Sequence, residues 1–297
     1  MDGTELDKGY QEKNNYYLKR TYHRGEENEF VKYHRSVLEA KLYLGNNLIC
    51  NIATEPIENS EEYNKKEFTE EAIKQDCESK AFIRLAGKLK KNFPRLPVCI
   101  AADALYVSQR VINTCRANGW DYIIRYKEGS APLIEEEYQA TPEKNTAGKA
   151  EYINGIVYAV LDTNVLKYAE TKIVDGEEKT TTFAWITSIK ITQRNAEKIA
   201  NAGRCRWKIE NQGFNRQKRW QGNIEHACSF HEKAQKNHYL MEQISDFIKQ
   251  LYEYFFLEKN EIRKTQKNIS SELLASFGRQ LTREDISTCD THGVPIN

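Results

Sequence analysis

Three carboxylates in separate parts of the chain are the residues best suited to chemistry. Asp103 follows the short apolar run 96–102, Glu210 is the only acid in the basic segment 204–220, and Asp2 lies near the first residue. Proteins of the α/β class place functional groups at the ends of buried strands, because the strand fixes the group and the following loop exposes it. A two-metal site for phosphoryl transfer requires oxygen donors from several elements. The residue types therefore raise such a site as a hypothesis, which their spacing alone does not establish.

The segment 204–220 (RCRWKIENQGFNRQKRW) predicts one helix that holds Glu210 among six basic residues. At about 100° per residue, Arg206 and Gln217 fall within about 40° of Glu210, so the three would share one polar stripe. A simpler interpretation is a surface helix on which Glu210 is merely paired with Arg206 and Arg216. Glu210 needs partners from other parts of the chain before it becomes part of a site.

The composition is that of a soluble globular protein. The 297 residues are 39% hydrophobic and 29% charged, with a formal net charge of +1. No apolar run approaches the roughly 18 residues of a membrane span, and the first residues lack the apolar region of a signal peptide. The seven cysteines are odd in number and have no CxxC spacing, which predicts reduced thiols in the cytoplasm and not a metal site. The nearly neutral net charge argues against a uniformly basic surface. A local basic groove is still compatible with the sequence, because Lys and Arg residues concentrate in 204–219.

The elements around the acids follow a mixed α/β order. Residues 1–30 read as mostly irregular, and residues 127–150 as a connection with one helical turn at most. The predicted strands are a hairpin over 37–53, a buried strand over 96–102, a strand over 122–126, and a β-rich block at 152–162, 165–174 and 181–191. The predicted helices lie at 67–92, 107–118 and 230–257, with small helices at 270–277 and 282–286.

Four motifs resemble the DDE transposases of bacterial insertion sequences. They are DGTE at 2–5, ADALY at 102–106, the Tyr122 strand with Lys127-Glu128-Gly129, and RWKIENQGFNRQK at 206–218. The resemblance covers residues 1–257 and implies a ribonuclease-H-like mixed sheet flanked by helices. In that family a β-rich insertion, here 151–191, precedes the last catalytic helix, and residues 258–297 would form a helical, polar tail.

The resemblance implies a site and an activity. Asp2, Asp103 and Glu210 would bind two Mg²⁺ or Mn²⁺ ions that activate water to nick DNA and then activate the freed 3′-hydroxyl for strand transfer. The partners would be double-stranded DNA at the element ends and at the target, with a homodimer on DNA left open, in the nucleoid-associated cytoplasm. The residues expected to contact DNA are Arg206, Arg216, Lys218 and Arg219 at phosphates, and Tyr106 and Trp207 by stacking.

The chain departs from the family pattern in two respects. Gly203 and Gln217 occupy the positions of the Tyr and Lys in the Y-REK signature, and Lys218 lies one residue late. Only Met1 precedes the first acid, so we expect Asp2 to lack the strand that holds it, and expect weak nicking unless about 10 upstream residues supply that strand.

Three other interpretations stay open. The chain would be an inactive, DNA-associating remnant if the site cannot assemble, or a metal-dependent nuclease that does not transfer strands. The residues His226, Cys228, His231 and His238 offer zinc ligands, but lone helical histidines are more often packing groups.

Overall fold

The structure, a computed structural model, describes residues 1–46, 48–59, 75–127, 129–158 and 161–278. The chain divides into two units, Met1–Ile248 and Lys249–Asn297, and the three candidate acids belong to the first. In the part of the chain that is described, no helix is long and apolar enough to cross a membrane.

Four strands form the first sheet. They are β1 (Asp2–Gly9), β2 (Leu18–Tyr22), β3 (Phe30–Tyr43) and β4 (Ile49–Ile57). The long strand β3 pairs antiparallel with the other three. Its residues 36–39 pair with both β1 and β4, so those two strands lie on opposite edges of β3.

This sheet confirms one prediction and corrects another. The hairpin predicted over 37–53 is the β3–β4 pair. The prediction that residues 1–30 are mostly irregular misses two strands, because β1 and β2 lie within them. The β1 sequence DGTELDKG contains a single large apolar residue, so local alternation gives no strand signal there. Its strand structure comes from pairing with β3, about 30 residues further along the chain.

Six strands form the second sheet, in the order β5-β6-β10-β9-β8-β7. They are β5 (Cys99–Ala102), β6 (Asp121–Tyr126), β7 (Asn145–Ala147), β8 (Ala150–Tyr158), β9 (Leu161–Val174) and β10 (Glu177–Thr187). β5 and β6 are parallel, and the other pairs are antiparallel. The predicted β-rich block is confirmed as strands, and it extends the sheet that begins with β5.

The turn between β9 and β10 follows from its two residues. Asp175 and Gly176 both have positive φ, 54° and 85°. Two-residue hairpin turns of this kind match the twist of the flanking strands and favour an Asp-Gly pair. The long β9–β10 ribbon is thus closed as its sequence predicts.

Six α-helices lie in the described residues. They are α1 (Glu78–Asn92), α2 (Gln109–Ala117), α3 (Pro132–Ala140), α4 (Ala196–Arg204), α5 (Glu232–Tyr252) and α6 (Gln266–Phe277). The largest buried cluster joins Phe82 of α1, Ile112 of α2, Leu38 of β3 and Ile100 of β5. Both sheets therefore share one hydrophobic core, and the mixed α/β fold with a mixed sheet flanked by helices is confirmed.

Several helix predictions need correction. The helix predicted over 67–92 begins at Glu78 in the described chain, and residues 67–74 lie outside the described residues. Residues 127–150 contain the nine-residue α3 and the short β7, not a single helical turn. Glu128 of the quoted motif and the helix predicted at 282–286 also lie outside the described residues.

The segment 204–220 is not one regular helix. α4 ends at Arg204, a turn follows, and the chain then forms π-type turns at Ile209–Phe214 and Gln217–Gln221. Turns of the π type close hydrogen bonds from i to i+5 and are wider than α-helical turns. The 100° step used to align side chains along this segment therefore does not hold.

Candidate active site

Asp2 and Asp103 approach each other from the two sheets. Asp2 is the first residue of β1 and lies opposite Glu39 of β3 in the register of the two strands. The ammonium group of Met1 donates a hydrogen bond of 2.7 Å to the carbonyl of Ala101 in β5, two residues before Asp103. Asp2 is the first residue of the eight-residue strand β1, which pairs with β3, so the expectation that no strand holds Asp2 is corrected, whereas the strand expected before Asp2 stays a prediction.

The carboxylate of Asp2 is largely buried and has a fixed cationic partner. Arg206 donates a hydrogen bond of 2.7 Å from Nη1 to Oδ2, and both side chains are 15% exposed. The backbone N–H of Gly3 donates to Oδ1 at 3.1 Å. Burial raises the pKa of Asp2 to about 6, against the opposing charges of Arg206 and the chain's ammonium group, and Asp103 raises it further. The two aspartates are thus within electrostatic reach of each other.

Asp103 lies between the end of β5 and a short 3₁₀ turn. Its Oδ1 accepts a hydrogen bond of 2.9 Å from the backbone N–H of Leu105, so the side chain caps the turn Ala104–Tyr106. A strand-ending turn former is therefore part of its role. Its charge also acts on the neighbouring acids, since it raises the pKa of both Asp2 and Glu78.

Glu78 is an acid of this cluster that the sequence interpretation missed. It is the first residue of α1, and its Oε2 accepts a hydrogen bond of 2.7 Å from the hydroxyl of Tyr106. The predicted helix start at residue 67 placed Glu78 in the middle of a helix, where an acid has no special meaning. Its position in the first turn of α1 is the signal that would have marked it.

A group of arginines lies near the acids. Burial lowers the pKa of Arg125, the charges of Arg206 and Arg204 lower it further, and Asp103 raises it. Arg125 and Arg204 both lie over the ring of Phe183, at 5.2 and 4.0 Å from its centroid. Arg125 was missed because it lies inside the strand sequence DYIIRY, which reads as a buried strand. The acids therefore face a local concentration of positive charge.

Glu210 is exposed, on a segment anchored to the first sheet. The flanking residues Ile209 and Phe214 are buried in one cluster with Leu6 of β1 and Val37 of β3. Among the described residues, no three Asp, Glu, His or Cys side chains are grouped closely enough to hold a metal ion. The structure thus brings Asp2 and Asp103 together without Glu210, and it shows no zinc group at the histidines that it describes.

The basic residues around Glu210 have other carboxylate partners. Arg206 binds Asp2, and Arg216 donates to Asp246 of α5 at 2.8 Å. The interpretation of Glu210 as paired with Arg206 and Arg216 is therefore not what the structure shows.

The polar stripe predicted for Arg206, Glu210 and Gln217 is also wrong. Gln217 is 1% exposed, and its Nε2 donates to Gln243 at 2.8 Å and to Asp246 at 3.0 Å, both in α5. Glu210 faces solvent instead. The π-type turns between these residues separate side chains that regular helical spacing would align.

Gly203 has a steric reason for lacking a side chain. A Cβ built on it would lie 2.7 Å from Cε2 of Trp185, whose indole is 1% exposed. Cβ atoms are not found so close to other heavy atoms. This close packing of α4 on β10 leaves no room for the Tyr that the Y-REK signature has at this position.

The remaining residues expected to contact DNA divide into exposed and buried ones. Trp207 is 43% exposed and Arg219 is exposed, while Lys218 lies 3.0 Å from Glu225. Tyr106 is 1% exposed, with its hydroxyl on Glu78. The expectation that Tyr106 stacks on a DNA base is corrected, because its ring offers no free face.

Comparison with known proteins gives the chain a family. The sequence model of a family described as "Transposase DDE domain" matches residues 74–240, more than half of the 297 residues. The matched range contains Asp103 and Glu210 and begins after Asp2. Among curated proteins, no match was found. On the family match, this chain belongs to the transposases with a DDE domain.

Proposed function

We propose that this chain nicks DNA and transfers the resulting 3′ end to target DNA, using Asp2, Asp103 and Glu210. The observation that carries the proposal is the meeting of Asp2 and Asp103 from the two sheets beside Arg206. A site for phosphoryl transfer needs carboxylates for cations and arginines for phosphates in one place. The family match supports the transposase class of the activity.

The donor set fits Mg²⁺ or Mn²⁺. Asp2, Asp103 and Glu210, the three proposed ligands, offer only hard carboxylate oxygens, which these cations prefer. Burial raises the pKa of Asp2 and the charge of Asp103 raises it further, and a bound divalent cation would relieve that repulsion. Asp2 and Asp103 would hold such ions, with Glu210 as the third acid. Two bound ions would supply an activated water for nicking and then an activated 3′-hydroxyl for strand transfer.

The other residues of the site have positioning and binding roles. Arg206 holds Asp2 in place and neutralises it. Arg125 and Arg204 would attract phosphates beside the acids, through contacts that are independent of sequence and sensitive to salt. The exposed ring of Trp207, three residues before Glu210, would stack on an unpaired base at a DNA end.

Glu210 has to turn toward the aspartates for this chemistry. Its neighbours Ile209 and Phe214 anchor the segment on the first sheet, while the Glu210 side chain is itself exposed. Helical stretches of the π type are frequent at functional sites. We propose that the π-type turn at Ile209–Phe214 lets Glu210 change its direction without moving the buried anchors.

The test is metal-dependent nicking of a supercoiled plasmid by the purified chain. We expect nicking with Mg²⁺ or Mn²⁺ and a loss of at least about 100-fold in Asp103→Asn and Glu210→Gln, since each removes a metal-binding charge. Asp162→Asn, at an exposed position of β9, is the matched control and should be unchanged. A chain without nicking would be the inactive, DNA-associating remnant.

A second assay separates a transposase from a simple nuclease. A labelled duplex is made from the DNA that flanks the coding sequence, with a free 3′ end, and is incubated with plasmid, Mn²⁺ and the chain. Joining of the label to plasmid supports strand transfer. Nicking that depends on Asp103 without any joining would reduce the function to that of a metal-dependent nuclease.

A further inference from the structure

Glu78 and Tyr106 connect the chain segments that carry Asp2 and Asp103. Neither Glu78 nor Tyr106 has a role in the proposed function. Tyr106 follows Asp103 by three residues and is 1% exposed, so its hydroxyl has a fixed position. It donates a hydrogen bond of 2.7 Å to Oε2 of Glu78. The first residue of α1 is thereby tied to the turn that carries Asp103.

The same carboxylate lies against the strand of Asp2. A Cβ built on Gly3 would lie 2.6 Å from both Cδ and Oε1 of Glu78, so the carboxylate occupies space that only glycine leaves free. Gly3 directly follows Asp2, and its N–H donates to the Asp2 carboxylate. Glu78 therefore touches the backbone beside one aspartate while it is held by the turn of the other.

The electrostatics agree with this geometry. Burial raises the pKa of Glu78, the hydrogen bond from Tyr106 lowers it, and the charge of Asp103 raises it. Glu78 in turn raises the pKa of Asp2. Like charges that act on one another in this way cost free energy unless a cation or a hydrogen bond offsets the repulsion.

We propose that Glu78 is a positioning residue of the active site: held by Tyr106, it sets the strand of Asp2 against the turn of Asp103 and adds its charge to cation binding. The inference rests on the proposed function, because it assumes that these aspartates bind a divalent cation. Partners of this kind, one step away from the metal ligands, typically change metal affinity by about 10- to 100-fold.

The test measures Mn²⁺ binding to the full chain by electron paramagnetic resonance, without any DNA. Glu78→Gln keeps an acceptor for Tyr106 and removes the charge, and we expect it to weaken Mn²⁺ binding by about 10-fold or more. Tyr106→Phe keeps the ring and removes the hydroxyl, and we expect a loss of several-fold. Matched controls are Tyr138→Phe and Glu151→Gln, the same two changes made at another hydrogen bond from a buried Tyr to a Glu. These controls should bind Mn²⁺ as the unmodified chain does.

Unchanged Mn²⁺ affinity in both Glu78→Gln and Tyr106→Phe would overturn the inference. If Glu78→Gln does not fold, Tyr106→Phe decides together with Gly3→Ala, which should displace the Glu78 carboxylate and weaken binding. Asp103→Asn is measured in parallel. If Asp103→Asn weakens Mn²⁺ binding and the Glu78 and Tyr106 variants do not, only this inference fails. If Asp103→Asn also binds normally, the proposed metal site fails as well.

Discussion

Lys41→Met should destabilise the protein by about 3–5 kcal/mol, because it leaves a buried carboxylate without its cation. Glu39 is fully buried and the side chain of Lys41 is 3% exposed, with 2.7 Å between Nζ and Oε2. Tyr239 of α5 donates a hydrogen bond of 2.6 Å to Glu39, and Lys41 donates to Gln243 of α5 at 3.3 Å. The pair thus joins β3 to the helix on which the Glu210 segment is docked.

The expected magnitude comes from the penalty for a lone buried charge, not from the net contribution of the pair. A buried ion pair often contributes little overall, since desolvation offsets the attraction, whereas removing one partner is costly. The double variant Glu39→Gln with Lys41→Met removes both charges and keeps an acceptor for Tyr239. It should therefore be more stable than Lys41→Met alone, by roughly 2 kcal/mol or more.

The chain offers a matched control in Lys172→Met. Lys172 also lies two residues from its glutamate on one strand, Glu170 of β9, but at 3.8 Å and with its side chain 69% exposed. Exposed pairs contribute about 0–1 kcal/mol, so we expect a change within about 0.5 kcal/mol. Urea unfolding followed by tryptophan fluorescence measures all four proteins. A cost of less than about 1 kcal/mol for Lys41→Met, or a double variant no more stable than Lys41→Met, would refute this reasoning.

Three further predictions follow from other contacts. Gly203→Ala should cost about 1–3 kcal/mol by overpacking the indole beneath it, whereas Gly87→Ala, with open space on α1, should be neutral or stabilising; thermal unfolding compares them. With Mn²⁺ present, Arg206→Ala and Lys218→Ala should each reduce the slope of log DNA affinity against log salt by about one, and two unchanged slopes would mean that neither residue contacts phosphate. Burial raises the pKa of Glu242 to about 7, so the native state binds more protons than the unfolded state between the ordinary carboxyl pKa and about 7. Stability should fall as pH rises through that window, and Glu242→Gln should reduce the fall in melting temperature measured between about pH 5 and about pH 8; the rest of the fall comes from Asp2, whose pKa burial also raises.

Elements with a local sequence signal could be predicted. The continuous apolar run 96–102 predicts a strand, and its residues 99–102 form β5. The turn at Asp175 and Gly176 is predictable because only a few residue types adopt its backbone angles. The position of Asp103 followed directly, since it ends that strand. These features depend on interactions within a few residues along the chain.

Elements that depend on distant partners could not be predicted. β1 is a polar sequence that becomes a strand only by pairing with β3, so the support of Asp2 was missed. Glu78 is significant because the fold brings it against two residues that are distant in the sequence, Gly3 before it and Tyr106 after it. The direction of Gln217 depended on π-type turns, which the regular helical period does not contain.

We predict that the ion pair of Arg206 with Asp2 couples cation binding to DNA binding. In the structure Nη1 of Arg206 lies 2.7 Å from Oδ2 of Asp2 and neutralises that carboxylate, so Arg206 is not fully available to bind a phosphate. A divalent cation on Asp2 would take over that neutralisation and release Arg206 for DNA. By linkage, Mn²⁺ should then strengthen DNA binding by the same factor by which DNA strengthens Mn²⁺ binding, typically about 5- to 150-fold. Arg206→Gln should reduce this factor toward one, whereas Lys218→Gln should weaken DNA binding and leave the factor unchanged. Titrations of a labelled duplex with and without Mn²⁺ measure it, and an equal factor in Arg206→Gln and the unmodified chain would show that the ion pair does not couple the two ligands.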